Sequence, residues 1–401
     1  MSELQFPGGV LVPVCYKSWS QEGLAAGTLE AAQIRLTNVG QYVIGLTQGQ
    51  EQGSWTSPWH TPEQSVERVV ASWQTSMPDI PYDAADPPSV ETWLQVRDDN
   101  QQSGWFSFGR WSTGTTVLPN GDLTSVRGSA GSQHNEWGQI AQDTYIAPKS
   151  RRIDGFRLRQ MLFRGAEGEP LTRLLAAVAS RRELLTSFKV SETTLEEAIE
   201  LDVPALSQYQ HRGEYAKLNG GGEAWCSSTA IAMVLCYFGK LPSPREIIAM
   251  PSDIVFDAHN RQDSVVTHAA LHTFDNGQAK KDTGNWSFNT AYATDRGVPA
   301  SVQQFDNLQA VEQEIKRGFP VVATLKWDNE DSNCAFHLDD APIDKTDGHL
   351  LVIRGFTKQG DVIVNDPAAP HNREVRRIYK RAQFEYNWLR SKGGVVYTFD
   401  K

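Results

Sequence analysis

Residues 220–229 read Gly-Gly-Gly-Glu-Ala-Trp-Cys-Ser-Ser-Thr, a glycine-rich turn that delivers one cysteine to the start of an apolar run. This run predicts a helix that stops at Gly239, because its apolar residues recur at helical spacing: Ala230, Met233, Val234 and Tyr237. Cys226 begins this helix, where free backbone N–H groups and the helix dipole favour the thiolate. Since the thiolate attacks carbonyl carbon, Cys226 is the candidate nucleophile. A buried structural thiol is the alternative, and Cys236 in the same helix fits it.

A candidate base and a candidate acid lie on two β-rich runs near the end of the sequence. Residues 348–356 carry His349 near their start, and residues 361–367 carry Asp366 near their end. A short glycine-containing loop joins the runs and predicts an antiparallel hairpin, so His349 and Asp366 lie at the same end. A histidine oriented by a carboxylate is what a cysteine nucleophile needs for proton transfer. The alternatives are a structural strand histidine and an Asp-Pro turn.

A cysteine that opens a helix, followed by a histidine and an aspartate on a later sheet, resembles the papain-like cysteine peptidases. Within that group the chain is similar to the bacteriocin-processing, double-glycine-leader peptidases and their C39-like relatives. Three segments carry the resemblance, which covers residues 201–401: Trp225-Cys226-Ser227, Gly348-His349-Leu350 and Asn365-Asp366-Pro367. The resemblance implies an α+β papain-like fold with the site between helix and sheet.

The resemblance also implies an oxyanion donor. In these families a glutamine upstream of the cysteine often lies in a Val-Pro-x-x-Ser-Gln context, and residues 203–208 read Val-Pro-Ala-Leu-Ser-Gln. Gln208 is the matching residue, and its side-chain amide would stabilise the tetrahedral oxyanion together with the backbone N–H of Cys226. The alternative is an exposed polar residue in a linker.

These residues predict a cysteine-type hydrolase that cleaves a peptide or amide bond in a peptide or protein substrate. Cys226 would attack, His349 would move the proton and Asp366 would orient the histidine. This chemistry requires no cofactor and no metal. Two alternatives stay open: a transglutaminase-like acyl transferase, which uses the same three residues, and a non-catalytic binding protein in which they are a relic.

The first half of the chain has a different composition and predicts a separate β domain. It carries eight of the twelve tryptophans and short β-type runs punctuated by Gly, Pro, Ser and Asn. Several close strands with turn signals indicate a sandwich or jelly roll. We therefore assign residues 1–190 to a β-sandwich with its own core, the acidic residues 191–205 to a linker, and residues 206–401 to the peptidase-like domain. A similar tryptophan-rich β module accompanies the C39-like domain in the bacterial proteins that the chain resembles.

Within the β domain, residues 156–163 and 171–179 flank a turn-rich loop and predict a further hairpin. The run at residues 90–97 alternates, with Val90 and Leu94 in one row and Trp93 in the other, which places one row inward and one outward. Two tryptophans in such runs, Trp73 and Trp93, are expected in the core. Four others flank polar or glycine-rich segments and are candidates for an exposed surface that binds a cell-wall or carbohydrate ligand: Trp55, Trp59, Trp105 and Trp111. Core packing is the alternative for these four.

The charge and composition of the chain limit the classes of partner and the cellular location that we expect. A net charge of −10 and a pI near 5.4 argue against a nucleic-acid partner or an anionic membrane surface. No apolar run is long enough for a membrane span, and residues 1–8 do not read as a signal peptide, so we expect a cytoplasmic protein or one whose signal has been removed. Four scattered cysteines predict no disulfide framework.

One further spacing could hold a metal. His268 and His272 lie four residues apart, which would place both on one helix face, but no acid follows in a zinc-peptidase pattern. We expect residues 240–284, which contain them, to contribute loops over the cleft.

Overall fold

The computed structural model describes residues 10–78, 86–113, 116–117, 123–124, 126–131, 133–183, 188–215, 220–250, 261–277 and 281–400, and the structural statements below refer to these. They form two regions along the chain: an all-β region, followed by a region in which helices pack on a sheet. No helix within these ranges combines the length and the apolar character that a membrane crossing needs.

The strands of the first region are, in chain order, β1 (Val10–Ser20), β2 (Thr28–Glu30), β3 (Ala32–Leu36), β4 (Tyr42–Leu46), β5 (Gln52–Thr56), β6 (Arg68–Ser76), β7 (Ser89–Asp98), β8 (Gln101–Gln102), β9 (Phe106–Trp111), β10 (Thr116–Val117), β11 (Leu123–Thr124), β12 (His134–Asn135), β13 (Gly138–Ala141), β14 (Thr144–Ile146), β15 (Gly155–Phe163) and β16 (Leu171–Glu183). Sheet A has the order β12-β13-β14-β6-β16-β4-β3, with β1 also paired to β16. Sheet B has the order β2-β5-β15-β7-β8, with β9 also paired to β7.

The hairpin predicted for residues 156–163 and 171–179 is wrong, although both runs are strands. β15 pairs with β5 and β7 in sheet B, whereas β16 pairs with β1, β4 and β6 in sheet A. The chain therefore crosses from one sheet to the other after Phe163. A turn-rich loop of this length can join strands of different layers as well as neighbours in one layer, and sequence pattern alone does not distinguish these connections.

The inward rows of the two sheets form the core of the first region. Val90 and Leu94 on β7 are fully buried, so their row of the alternation is the inward one. Trp73 is also fully buried, whereas Trp93 is half-buried on the outward row. The expectation of exposure is wrong for Trp55 and Trp111, which lie in the core without solvent exposure. The polar residues next to Trp55 and Trp111 in sequence do not indicate exposure, because in a strand the residues on either side of an inward side chain point outward.

The second region contains β17 (Ile199–Glu200), α1 (Cys226–Tyr237), α2 (Pro244–Ala249), α3 (Arg261–Thr273), α4 (Trp286–Asp295), β18 (Ala300–Gln304), α5 (Leu308–Lys316), β19 (Val321–Asp328), β20 (Lys345–Phe356), β21 (Val362–Asn365), β22 (Arg376–Tyr379), α6 (Arg381–Lys392) and β23 (Val395–Phe399). Its sheet has the order β18-β23-β19-β20-β21-β22, with β17 paired to β20. Neighbouring strands in this sheet run antiparallel.

The prediction that residues 240–284 form loops is wrong, because this stretch contains α2 and α3. A capping box begins α2: the side chain of Ser243 accepts from the backbone N–H of Glu246, whose carboxylate accepts from the backbone N–H of Ser243. Val265 and Ala269 on α3 are fully buried, and α3 packs against α1. Helix α3 contains few large apolar residues, so its sequence shows no strong helical periodicity. Its packing against the rest of the domain stabilises it.

The segment assigned to the linker, residues 191–205, lies against the second region. The carboxylate of Glu312 on α5 accepts hydrogen bonds from the hydroxyls of Thr193 and Thr194, at 2.8 and 2.6 Å. Ile199 pairs with Phe356, so β17 joins the C-terminal end of β20. These contacts fix the path by which the chain enters the second sheet.

The two regions share one hydrophobic core, contrary to the expectation of a separate core for the β domain. Both faces of β6 and most of β16 are buried, and both strands contact the second region: β6 contacts α4 and β18, and β16 contacts β18. Trp73, for example, contacts the ring of Phe288 on α4, with ring centroids 6.3 Å apart. A strand buried on both faces lacks clean polar alternation, which is the sequence signal for this contact.

Two buried charges of the first region also cap helices of the second. Arg127 donates to the carbonyl oxygens of Leu271 and Phe274 at the C-terminal end of α3, at 2.6 and 2.8 Å. Asp143 accepts from the backbone N–H of Trp286 at the start of α4, at 2.7 Å. A cation at a helix C-terminus and an anion at an N-terminus both match the helix dipole. The first region thereby supports α3, which packs against α1.

Candidate active site

The glycine-rich turn brings the chain into α1 at Cys226, the first residue of the helix. Gly220 and Gly221 have φ angles of +92° and +90°, a backbone conformation that side chains disfavour. Gly222 has no space for a side chain, because a Cβ there would lie 2.2 Å from the carbonyl oxygen of His211. The three glycines therefore let the chain pass close to residues 208–211 before it enters the helix. Helix α1 is buried on all sides from Ser227 to Leu235, rather than on one face.

Strands β20 and β21 bring the predicted base and acid together. His349 Nε2 and Asp366 Oδ1 are 2.7 Å apart, and both side chains are buried. The second carboxylate oxygen of Asp366 accepts a hydrogen bond from the hydroxyl of Tyr379, at 2.7 Å, and the backbone N–H of Ala368 donates to Oδ1 at 3.0 Å. Every oxygen of this buried carboxylate thus has a partner, which a buried charge requires.

Electrostatics favour the ionised carboxylate and the protonated imidazole. Burial alone would raise the pKa of Asp366, but the charge and hydrogen bond of His349 and the hydroxyl of Tyr379 lower it. Burial alone would lower the pKa of His349, but Asp366, together with Cys226, raises it to about 10. The ring of Trp327 packs edge-on against the imidazole, with centroids 5.4 Å apart, and restricts its tilt.

Cys226 interacts with the same histidine. Burial would raise the pKa of its thiol, but a hydrogen bond and the charge of His349 lower it, as do the backbone N–H groups of Leu350 and Ser227. Because His349 Nε2 faces Asp366, Nδ1 is the ring nitrogen left for Cys226. The side chain of Cys226 is half-buried and thus reachable. The arrangement can hold a thiolate beside an imidazolium.

Gln208 forms hydrogen bonds with the segment that carries Asp366 and with the turn that precedes Cys226. Its backbone N–H donates to the carbonyl oxygen of Pro367, directly after Asp366, at 2.9 Å. Its side-chain Nε2 donates to the carbonyl oxygen of Glu223, three residues before Cys226, at 2.6 Å. Gln208 is buried rather than an exposed linker residue. One N–H of the Gln208 side-chain amide therefore binds the turn that leads to Cys226. The same amide nitrogen carries a second N–H group.

Two of the other cysteines, Cys15 and Cys236, differ from Cys226 in the pKa of the thiol, and all four cysteines are free thiols. Burial raises the pKa of Cys15 to about 11 and that of Cys236 to about 12. These two thiols are protonated at neutral pH and unreactive by comparison.

The histidine pair at four-residue spacing forms a buried stack rather than a metal site. His268 and His272 lie on α3 with ring centroids 3.9 Å apart, and His268 Nδ1 is 2.7 Å from the hydroxyl of Tyr292. Burial lowers the pKa of His272 to about 3 and that of His268 well below its usual value, so both are neutral. Across the described ranges, no group of three or more His, Cys, Asp or Glu side chains could hold a metal ion.

Sequence reasoning missed two residues of the site, Tyr379 and Trp327. Tyr379 ends β22, and Trp327 lies on β19 next to β20. Aromatic residues in strands are ordinary core residues, so no local signal separates them from the rest of the sheet. Only the sheet order, which brings β19, β20, β21 and β22 side by side, could have indicated them.

Comparison with known proteins gives two family matches. Residues 200–396 match the model of the Peptidase_C39-like family, and residues 14–180 match the Peptidase C39 N-terminal domain. Comparison with curated proteins gives no match.

Comparison with solved structures gives several similar chains, of which three are described here. A candidate C39-like peptidase from Bacillus anthracis is 17% identical, with a TM-score of 0.32, over 51% of this chain and 98% of its own. The C-terminal CBM6 of LamC from Zobellia galactanivorans is 10% identical, with a TM-score of 0.21, over 41% and 99%. The xylan-binding module CBM86 from Roseburia intestinalis is 14% identical, with a TM-score of 0.20, over 42% and 96%.

The two family matches follow one another along the chain and correspond to the all-β region and to the region that contains Cys226, His349 and Asp366. The chain therefore carries a Peptidase C39 N-terminal domain followed by a domain of the Peptidase_C39-like family.

Proposed function

We propose that the chain is a cysteine hydrolase that cleaves a peptide or amide bond, with a papain-like arrangement of Cys226, His349 and Asp366. The observation that carries this proposal is the buried 2.7 Å contact between His349 Nε2 and Asp366 Oδ1, which leaves Nδ1 for the thiol at the start of α1. The lowered pKa of Cys226 and the match to the Peptidase_C39-like family support it.

In the proposed reaction the Cys226 thiolate attacks the carbonyl carbon of the scissile bond. The oxyanion accepts hydrogen bonds from the backbone N–H of Cys226 and from the second side-chain N–H of Gln208. As the tetrahedral intermediate collapses, His349 Nδ1–H protonates the leaving amine and a thioester remains. His349 then takes a proton from water, the hydroxide attacks the thioester, and the acid product leaves.

Asp366 has a positioning and electrostatic role in this scheme. Its carboxylate holds His349 in one orientation and stabilises the imidazolium that accompanies the thiolate. Tyr379 and Ala368 keep the carboxylate fixed and ionised. The proton moves between sulfur, Nδ1 and substrate, so Asp366 itself stays ionised throughout.

We also propose the division of the chain made from the sequence. Residues 1–190 would be the β-sandwich, residues 191–205 the connecting segment, and residues 206–401 the hydrolase domain that acts on a peptide or protein substrate. The contacts of Thr193 and Thr194 with Glu312 support a connecting segment held on the hydrolase domain.

A mixture of peptides from a digested bacterial proteome tests this function. The full chain is incubated with the mixture, and new peptide termini are mapped by mass spectrometry. We expect cleavage by the wild-type protein and none by Cys226→Ala or His349→Ala. Cleavage that persists in Cys226→Ala would contradict the proposal. Addition of glycine methyl ester separates the acyl-transferase alternative, because amide products at the expense of free acids indicate transfer rather than hydrolysis. A chain that binds peptides without any turnover would be the non-catalytic alternative.

A further inference from the structure

The outer face of sheet B carries aromatic and cationic side chains in adjacent positions. Arg157 and Arg159 point outward from β15, on the face opposite to the buried Leu158, and Arg159 pairs in register with Trp93 on β7. Trp59 and Trp105 are half-buried at the same surface. We call the four residues Trp59, Trp105, Arg157 and Arg159 the Trp–Arg face. Because sheet A packs on the second region, this face lies on the opposite layer of the sandwich.

The two tryptophans hold the two arginines by stacking. The guanidinium carbon of Arg157 is 4.8 Å from the ring centre of Trp59 and 5.3 Å from that of Trp105. The guanidinium of Arg159 is 4.3 Å from the ring centre of Trp105. These are cation–π distances, and a guanidinium in such a contact still has N–H groups with which it can bind an anion.

Both arginines lack an acidic partner within the described ranges. Arg157 donates its Nε–H to Gln95, and Arg159 donates its Nε–H to Thr56, each at 2.9 Å, so the terminal N–H groups are left. The neighbouring Arg97 differs, because Asp154 neutralises it at 3.1 Å. Two adjacent like charges without a carboxylate repel each other, and rigid aromatic stacking keeps them together. Two adjacent guanidinium groups without an acidic partner form a local positive site that is complementary to an anion.

We infer that the Trp–Arg face binds an acidic polysaccharide through its sugar carboxylates. The paired terminal N–H groups of a guanidinium match the two oxygens of a carboxylate. The indole rings beside them offer apolar surface to the C–H face of a sugar ring. A nucleic acid fits less well, because its dense phosphate charge would be repelled by the acidic remainder of the chain. The inference goes beyond the proposed hydrolase function, and the site is separate from Cys226.

Affinity electrophoresis of the full chain in gels containing polygalacturonate tests the inference. Gels that contain dextran test binding to a neutral polysaccharide. Competition with polyaspartate or single-stranded DNA tests binding to other anionic polymers. We expect retardation by polygalacturonate and none by dextran. The double variant Arg157→Gln/Arg159→Gln should weaken binding about tenfold or more, since it removes both charge-assisted contacts.

A matched control removes the same charge from an exposed loop of the same domain: Lys149→Gln/Arg152→Gln. This variant should bind polygalacturonate as the wild type does, and thermal unfolding verifies that both variants are folded. Equal weakening by the two double variants would overturn the inference, because net charge alone would then explain binding. Equal binding of dextran, absence of binding to polygalacturonate, or preference for polyaspartate or DNA would also overturn it. Peptide cleavage by Arg157→Gln/Arg159→Gln should be unchanged, so this result is independent of the proposed hydrolase.

Discussion

The hydroxyl of Tyr379 lies 2.7 Å from Asp366 Oδ2, on the opposite side of the carboxylate from His349. This hydrogen bond links β22 to the two strands that carry the proposed base and acid. It stabilises the ionised form of Asp366 and thereby keeps the pKa of His349 high.

Tyr379→Phe should slow catalysis without unfolding the protein. Removal of the hydroxyl leaves one buried carboxylate oxygen without its partner, and a hydrogen bond to a charged group contributes about 1.5–3 kcal/mol. We expect kcat to fall by roughly tenfold, and the basic limb of the pH–rate profile to move to lower pH as the pKa of His349 falls. The half-buried Tyr386 is the control, and Tyr386→Phe should leave the profile unchanged. An unaltered profile in Tyr379→Phe would show that the hydroxyl has only a packing role.

The three proposed catalytic residues should respond unequally to substitution. Cys226→Ala and His349→Ala should reduce turnover to background, because nucleophile and base are lost. Asp366→Asn should be slower by roughly 10- to 1000-fold yet measurable, since an amide oxygen at Oδ1 can still accept from His349 Nε2. Initial rates on a cleaved peptide measure this. His371→Ala serves as the control, because His371 is exposed and contacts Gln210 instead of the site. If His371→Ala abolished turnover and His349→Ala did not, the base would be wrongly assigned.

Cys226 should be the fastest-alkylating thiol at neutral pH. Its pKa is lowered, whereas those of Cys15 and Cys236 are raised to about 11 and about 12. Brief iodoacetamide treatment of folded protein, followed by mass-spectrometric mapping, should label Cys226 well before these two. Equal rates at the three thiols would argue against an activated nucleophile.

Arg127→Gln should destabilise the whole protein. Arg127 is fully buried and donates to the carbonyl oxygens of Leu271, Phe274 and Ser112, and its loss leaves these groups unsatisfied. We expect the free energy of unfolding to fall by about 3 kcal/mol or more. Chemical denaturation measures it, with the exposed Arg152→Gln as control, for which a change within about 0.5 kcal/mol is expected. If Arg127→Gln lowered the free energy of unfolding no more than Arg152→Gln does, the contact between the two regions would contribute little to stability.

The β region should not unfold as an independent unit, because its core continues into the second region. A fragment ending at residue 183 would expose the part of β6 that α4 and β18 cover in the full chain, including the carbonyl oxygen of Ala71, which accepts from the hydroxyl of Ser287. We expect this fragment to bind a hydrophobic dye and to unfold without a sharp transition. A cooperative, dye-free transition near that of the full chain would instead support an autonomous sandwich.

Features that depend on neighbours in sequence were predicted well. α1 begins at Cys226, as the glycine-rich turn and the apolar run indicate. The short loop between β20 and β21 leaves few registers, so contact between His349 and Asp366 follows from hairpin geometry. The N-cap of α4 is equally local, because the side chain of Asn285 accepts from the N–H of Phe288 within one turn.

Features that depend on distant packing were not predicted. Trp55 and Trp111 are buried by the facing sheet, which their polar sequence neighbours do not reveal. Helix α3 is stabilised by contacts with α1 and by Arg127, which lies far away in sequence. Tyr379 reaches Asp366 only through the order of the strands, and strand order is a property of the whole sheet rather than of either segment.

The rate of iodoacetamide alkylation at Cys226, measured against pH in the wild type and in His349→Ala, tests the central claim most directly. We predict that the wild-type thiol reacts with an apparent pKa below the ordinary thiol value, and that its ion pair with His349 persists until the imidazolium loses its proton near pH 10. In His349→Ala the apparent pKa should rise above the ordinary value, because burial then acts without the compensating charge. The same apparent pKa in both proteins would contradict an ion pair between Cys226 and His349.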